Sequence, residues 1–67
     1  MNQFGKRLKH IRTVWMNIDQ EALGKLCGLS STTISHFETG NRTPSLKNLR
    51  KLKKGTGCSY DQLLDED

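Results

Sequence analysis

The chain has 67 residues, 33% of them apolar and 6% aromatic, and its 11 Lys and Arg outweigh 7 Asp and Glu for a formal net charge of +4. A chain of this length has room for one domain with a small core, because it buries only about 60% of its unfolded surface. No apolar run approaches the ~18 residues that cross a bilayer, no apolar signal core opens the chain, and two cysteines make no disulfide framework, so a membrane protein and a stapled secreted module are excluded and a soluble, cytoplasmic protein is expected.

Phe4, Leu8, Ile11 and then Val14 or Trp15 recur at helical spacing, which predicts a first amphipathic helix from about Asn2 to Val14. Asn17 tolerates the left-handed conformation that ends a helix, and Asp19 is a suitable N-cap for a second helix with Glu21 in its first turn. The apolar positions of that helix are Ala22, Leu23, Leu26 and Cys27, and Gly28 stops it.

Ser30 follows almost at once as a further N-cap. It opens a run of four hydroxyl residues to Thr33, and Ile34 and Phe37 then fall on one side of a third helix from about Ser31 to Thr39. Threonines are mediocre helix formers, at ~0.5 kcal/mol each against alanine, so packing of Ile34 and Phe37 must hold this helix. Gly40 ends it, and residues 41–45, NRTPS, read as a loop because the residue before proline avoids helical geometry.

Ser45 can cap a fourth helix with Leu46, Leu49 and Leu52 facing inward and the lysines outward, closed by Gly55 and Gly57. Ser59 caps a short fifth helix, Tyr60 to Leu64, before an acidic tail, residues 65–67, that is expected to fray. There is no strand-like alternation, so the expectation is one all-α domain spanning residues 1–67.

The charge is segmental. Lys6, Arg7, Lys9 and Arg12 occupy residues 1–18 without an acid, and Arg42, Lys47, Arg50, Lys51, Lys53 and Lys54 do so again in residues 42–54, a distribution compatible with a polyanionic partner. Cys27 and Cys58 are expected to behave as small core hydrophobes. A zinc site would have to recruit His10 and His36, but no paired ligand spacing occurs, so no metal and no cofactor are expected. No nucleophile–base pair, phosphate-cradling glycine loop or metal cluster supports an enzyme.

Two short helices around a Gly28-containing turn, the second of them polar, describe a helix-turn-helix. In that unit the second helix lays its N-terminal residues against base edges in the major groove. The string IDQEALGKLCGLSSTTISHFETGNRTPSLKNL, followed by GCSYDQLL, resembles the Cro/repressor-type (lambda-repressor-like, XRE) helix-turn-helix family over residues 4–64. The likeness rests on the Gln-Glu opening of helix two, Gly24 four residues before Gly28, the S-x-x-T-I-S-x-F-E-x-G block and the N-R-x-P-S loop.

The resemblance implies a compact five-helix lambda-repressor-like domain that binds operator DNA, usually as a homodimer, and hence a transcriptional regulator of repressor type. It puts Ser31, Thr32, Ser35 and His36 on positions that face bases. It puts Gln20, Ser30, Thr39, Asn41, Arg42 and Thr43 along the DNA backbone, where a basic residue and free amides suit phosphate. It matches Arg12 and Glu38 to a structural ion pair, and Cys58, Tyr60 and Gln62 to a dimer surface. Trp15 is expected to be a packing residue at the end of helix one rather than a stacking platform for bases.

The chain departs from the family in three places. It has one residue more than usual between Arg12 and Gln20, at the first turn. Lys53, Gly55 and Thr56 stand where small or apolar residues are usual, so the end of helix four is expected to fray. The base-facing positions lack the Arg, Gln or Asn side chains that read purines bidentately, so recognition is expected to lean on DNA shape and phosphate geometry. The alternative is an antitoxin-like or scaffold module that uses the same fold to hold a protein, which the acidic end of the chain favours.

Overall fold

The computed structural model describes residues 2–64, so the acidic end, residues 65–67, lies outside the described residues. Five α-helices follow one another: α1 (Asn2–His10), α2 (Gln20–Cys27), α3 (Ser31–Thr39), α4 (Leu46–Thr56) and α5 (Tyr60–Leu64). Among the described residues there is no strand, and no helix is long and apolar enough to cross a membrane. The described chain measures 26 × 22 × 19 Å.

The sequence predicts helix one as a single α-helix to Val14. Instead α1 stops at His10 and runs on as a π-helix from Ile11 to Met16. A π-turn takes up more residues per turn than an α-turn, so it can absorb the additional residue between Arg12 and Gln20 without moving the elements on either side. The change of phase also decides exposure. Leu8, Ile11 and Arg12 are buried and Met16 packs against the core, whereas Val14 and Trp15 are rotated out, at 62% and 47% exposure. Trp15 packs on the surface of its own helix, edge-on to His10 and with the Arg7 guanidinium 4.9 Å from its ring centroid. Asn17 ends the π-turn in the left-handed region, at φ 56°. The Arg12 carbonyl accepts from both the Asn17 and Ile18 N–H groups, the latter at 3.1 Å.

The other helix starts are capped as the sequence predicts. Asp19 accepts from the Ala22 N–H at 2.8 Å, Ser30 from the Thr33 N–H at 3.1 Å and Ser45 from the Asn48 N–H at 3.2 Å. At α5 the cap is reciprocal: the Ser59 hydroxyl accepts from the Gln62 N–H, and Gln62 Oε1 accepts from the Ser59 N–H at 2.8 Å. That exchange satisfies two orphan donors of a helix only five residues long.

Phe4, Leu8, Ile11, Leu23, Cys27, Ile34, Phe37, Leu52, Cys58 and Leu63 form one core, with Met16, Ile18, Leu29 and Leu49 packed against it. Phe4 of α1 meets Phe37 of α3 edge to face, ring centroids 6.3 Å apart. Two positions expected inside are not: Leu26 of α2 and Leu46 at the start of α4 are 56% and 61% exposed. Gly55 does not stop α4, which continues to Thr56 and ends on Gly57 at φ 74°. A Cβ at Gly55 would overlap Cys27 Sγ and stand 2.9 Å from the Cys27 Cα, so glycine is what allows α4 to lie against α2. Nor does the end of α4 fray. Thr56 Oγ1 donates to the Leu52 carbonyl at 2.7 Å and accepts from the Cys58 N–H at 3.2 Å.

Candidate nucleic-acid interface

The turn between α2 and α3 is specified by small residues. Gly28 takes the left-handed conformation, at φ 75°, and the Leu29 N–H reaches back to the Gly24 carbonyl at 2.8 Å, closing α2 with a Schellman-type turn. Gly24 lies under this turn, and a Cβ there would overlap the Leu29 carbonyl oxygen and come within 3.3 Å of the Ser30 carbonyl carbon. Any larger residue would push α3 away from α2.

From that turn α3 presents a polar edge. Ile34 and Phe37 are buried at 0% and 1% exposure and hold the helix to the core. Ser31 and Thr32 in the first turn are exposed, and Ser35 and His36 one turn on are half-buried. The four positions expected to face bases therefore share the face turned away from Ile34 and Phe37. The Ser30 hydroxyl sits 2.9 Å from Thr33 Oγ1 and also caps the helix, so the first turn is ordered by its own side chains.

The loop after α3 is tied to the same helix. Gly40 is left-handed at φ 84°, the Arg42 N–H donates to the His36 carbonyl at 3.2 Å, and Thr39 Oγ1 donates to that carbonyl at 3.3 Å. Thr39, Asn41, Arg42 and Thr43 are all exposed beside the C-terminal end of α3.

Behind this surface lies a clamp. Arg12 Nε donates to Glu38 Oε2 at 2.6 Å and Nη2 donates to Oε1 at 3.0 Å, a bidentate pair, while Nη1 donates to the Ile18 carbonyl at 2.9 Å. The two side chains keep 10% and 3% of their exposure. The hydrogen bond to Glu38 raises the Arg12 pKa above its ordinary value against the opposite pull of burial, and the charges of Glu38 and Asp19 add to it. Gln20, at the start of α2, donates through Nε2 to Glu38 Oε1 at 3.0 Å. The π-turn through Arg12 and α2 through Gln20 thus converge on one carboxylate of α3, and Arg12 also ties in the Ile18 carbonyl of the linker. Among the described residues no buried side-chain nitrogen or oxygen is left without a partner.

The family resemblance gives Gln20 a phosphate contact and the steadying of the third helix, but does not name Glu38 as its partner. Gly5 is missing from the sequence reading. A Cβ there would stand 2.5 Å from the Phe37 carbonyl oxygen and 2.6 Å from that of Glu38, so α1 crosses α3 at backbone distance just where the clamp sits. The signal was available, since a glycine inside an amphipathic stripe marks a close approach.

The residues expected at a dimer surface divide. Tyr60 and Gln62 are exposed on α5, with Lys53 Nζ 5.5 Å from the Tyr60 ring centroid, whereas Cys58 is 6% exposed and belongs to the core. Cys58 therefore presents almost no surface to a second molecule. Both thiols are free and buried, and burial pushes the Cys27 pKa up to about 11. Among the described residues no three His, Cys, Asp or Glu side chains come together to hold a metal.

Residues 8–63 match the family model described as helix-turn-helix. The chain is 40% identical over 62 residues to the control protein C.BamHI of Bacillus amyloliquefaciens, covering 92% of this chain and 76% of that protein. It is 40% identical over 63 residues to the repressor protein C2 of Salmonella phage P22, covering 94% of this chain but only 29% of that longer protein. Among solved structures, the P22 c2 repressor in complex with a synthetic operator superposes with a TM-score of 0.84 at 39% identity, covering 96% of both chains. The restriction-modification controller protein C.AhdI of Aeromonas hydrophila does so with a TM-score of 0.86 at 34% identity, covering 92% of both. By family match, identity and superposition, the chain belongs to the lambda-repressor-like branch of the helix-turn-helix family.

Proposed function

We propose that this protein is a DNA-binding transcription regulator of repressor type that inserts the exposed edge of α3 into the major groove of a short operator. The observation that carries the reading is that edge itself. Ser31 and Thr32 are exposed, Ser35 and His36 half-exposed, on a helix anchored by Ile34 and Phe37 and clamped through Glu38. The superposition on a repressor in complex with its operator supports the same placement. Ser31, Thr32, Ser35 and His36 meet the bases, while Gln20, Ser30, Thr39, Asn41, Arg42 and Thr43 meet phosphates on either side. Glu38 holds the Gln20 amide in place from behind, leaving its second N–H for a phosphate oxygen.

Serine and threonine offer single hydrogen bonds and a methyl contact to thymine, and His36 one donor to a purine acceptor or a phosphate. Base discrimination is then modest, and DNA shape and backbone contacts supply the rest. The protein acts in the cytoplasm as a homodimer on a two-fold site, with Tyr60 and Gln62 at the subunit contact, and has no catalytic role. Selection of bound duplexes from a random pool by mobility shift tests this. The expected product is two half-sites centred about 10 base pairs apart, bound less tightly as salt rises. Arg42→Ala is expected to weaken all selected sequences about equally. Failure to retain any duplex at low salt would overturn the reading.

A further inference from the structure

Helix α4 carries cations where a helix stabilised for its own sake would not. Lys47, Arg50, Lys51 and Lys54 stand at i, i+3, i+4 and i+7, one stripe of the helix, with no acid between residues 42 and 54. Every neighbouring pair in that stripe is therefore like-charged, which destabilises a helix. The first turn holds no acid and Lys47 there opposes the helix dipole, while Lys54 alone of the four, in the last turn, complements it. By contrast α2 follows the self-stabilising pattern, with Glu21 in its first turn and Lys25 four residues later. Lys47, Arg50 and Lys54 are exposed, Lys51 is half-buried, and among the described residues none of the four is salt-bridged to an acid. Lys53 lies off the stripe, over the Tyr60 ring.

We infer that this stripe is a second DNA surface, which follows the phosphate backbone beyond the segment read by α3. It begins five residues after Arg42, beyond the loop that Ser45 closes. From Lys47 to Lys54 the helix rises about 10 Å, more than the ~8 Å Debye length at physiological salt, so the far cations act only if the duplex passes close to them. An uninterrupted row of one sign suits a polyanion whose charge is continuous, and it accounts for cations that cost the helix stability. This inference rests on the DNA-binding reading above and adds the extent of DNA contacted.

The test compares the wild-type protein with a variant carrying Lys47→Gln, Arg50→Gln, Lys51→Gln and Lys54→Gln, on a selected operator and on the same operator trimmed of flanking base pairs. Circular dichroism checks the fold, and a second variant with the three lysines changed to arginine keeps the charge. Each phosphate contact contributes about 0.9 to the slope of log affinity against log salt. The glutamine variant is expected to lower that slope by at least ~2 on the full duplex and to lose the wild type's preference for the flanked duplex, while the arginine variant behaves as wild type. A smaller change in slope, or an unchanged preference for flanks, overturns the inference and leaves the stripe for an acidic protein partner. Absence of duplex binding by the wild type itself identifies failure of the underlying reading instead.

Discussion

The α2–turn–α3 unit and the segment that precedes it solve the same problem by opposite means. Between residues 19 and 40 each change of direction has its own local device: Asp19 and Ser30 as caps, Gly28 and Gly40 in the left-handed region, and Gly24 beneath the turn. Between residues 11 and 18 the chain has no such devices beyond Asn17. It forms a π-turn and is held by Arg12, which bonds Glu38 across 26 positions and the Ile18 carbonyl across six. Local chemistry makes a turn stiff and particular, whereas a side-chain clamp tolerates an altered path as long as the clamping atoms still meet.

The contrast can be broken most severely at the clamp. Arg12→Ala or Glu38→Ala strands a buried charge, and a loss of roughly 3–5 kcal/mol is expected, measured by urea unfolding through Trp15 fluorescence. An effect below ~1 kcal/mol would show that the devices around α2 and α3 suffice without it. Next comes Gly24→Ala, where the added methyl has only the Leu29 and Ser30 backbone to meet. A cost of about 1–3 kcal/mol is expected, along with weaker DNA binding as α3 shifts. Ser30→Ala removes one cap and is expected to cost about 1 kcal/mol, read as a lower melting temperature.

Deleting Val14 sharpens the comparison from the other side. The residue is 62% exposed in the π-turn, and its loss is expected to restore an α-helical path and change stability by no more than ~0.5 kcal/mol. A large loss would mean that the π geometry itself positions Arg12. The smallest effect is expected from pH. The Cys27 pKa is raised by burial from 9.0 to about 11, so the folded protein keeps its proton where the unfolded chain gives it up. That contribution is complete below pH 9 and is lost between about pH 9 and 11. Cys27→Ala is expected to flatten the alkaline limb of a stability profile, after correction for its own cavity.

Much of the interface was legible in the residues because it is built from short-range signals. A hydroxyl or carboxylate three residues ahead of an N–H, a glycine at a helix end and a proline in the loop beyond it act over a single turn, and Asp19, Ser30, Ser45, Gly28, Gly40 and Pro44 all do so. Exposure was less legible. Leu26 and Leu46 continue an apolar spacing yet point outward, because how wide a stripe is buried depends on which helices lie across it. Gly55 looked like a stop and is a contact, since its absent side chain matters only once Cys27 of α2 lies opposite. Cys58 reads from the sequence both as a core hydrophobe and as a dimer candidate, and its burial puts it in the core.

By itself the sequence determined where α2, α3 and α5 begin and end, that α3 is polar on one edge, and that the basic charge gathers in two segments. The helix bounds follow from the order of residues over three or four positions, where a cap or a glycine acts on its own turn. Only the tertiary structure decided that residues 11–16 form a π-turn, that Gln20 and Arg12 share one carboxylate, and that Val14 and Trp15 face out. Those outcomes depend on groups up to 26 positions apart arriving within 3 Å of each other, a distance set by packing across the whole core rather than by any one turn.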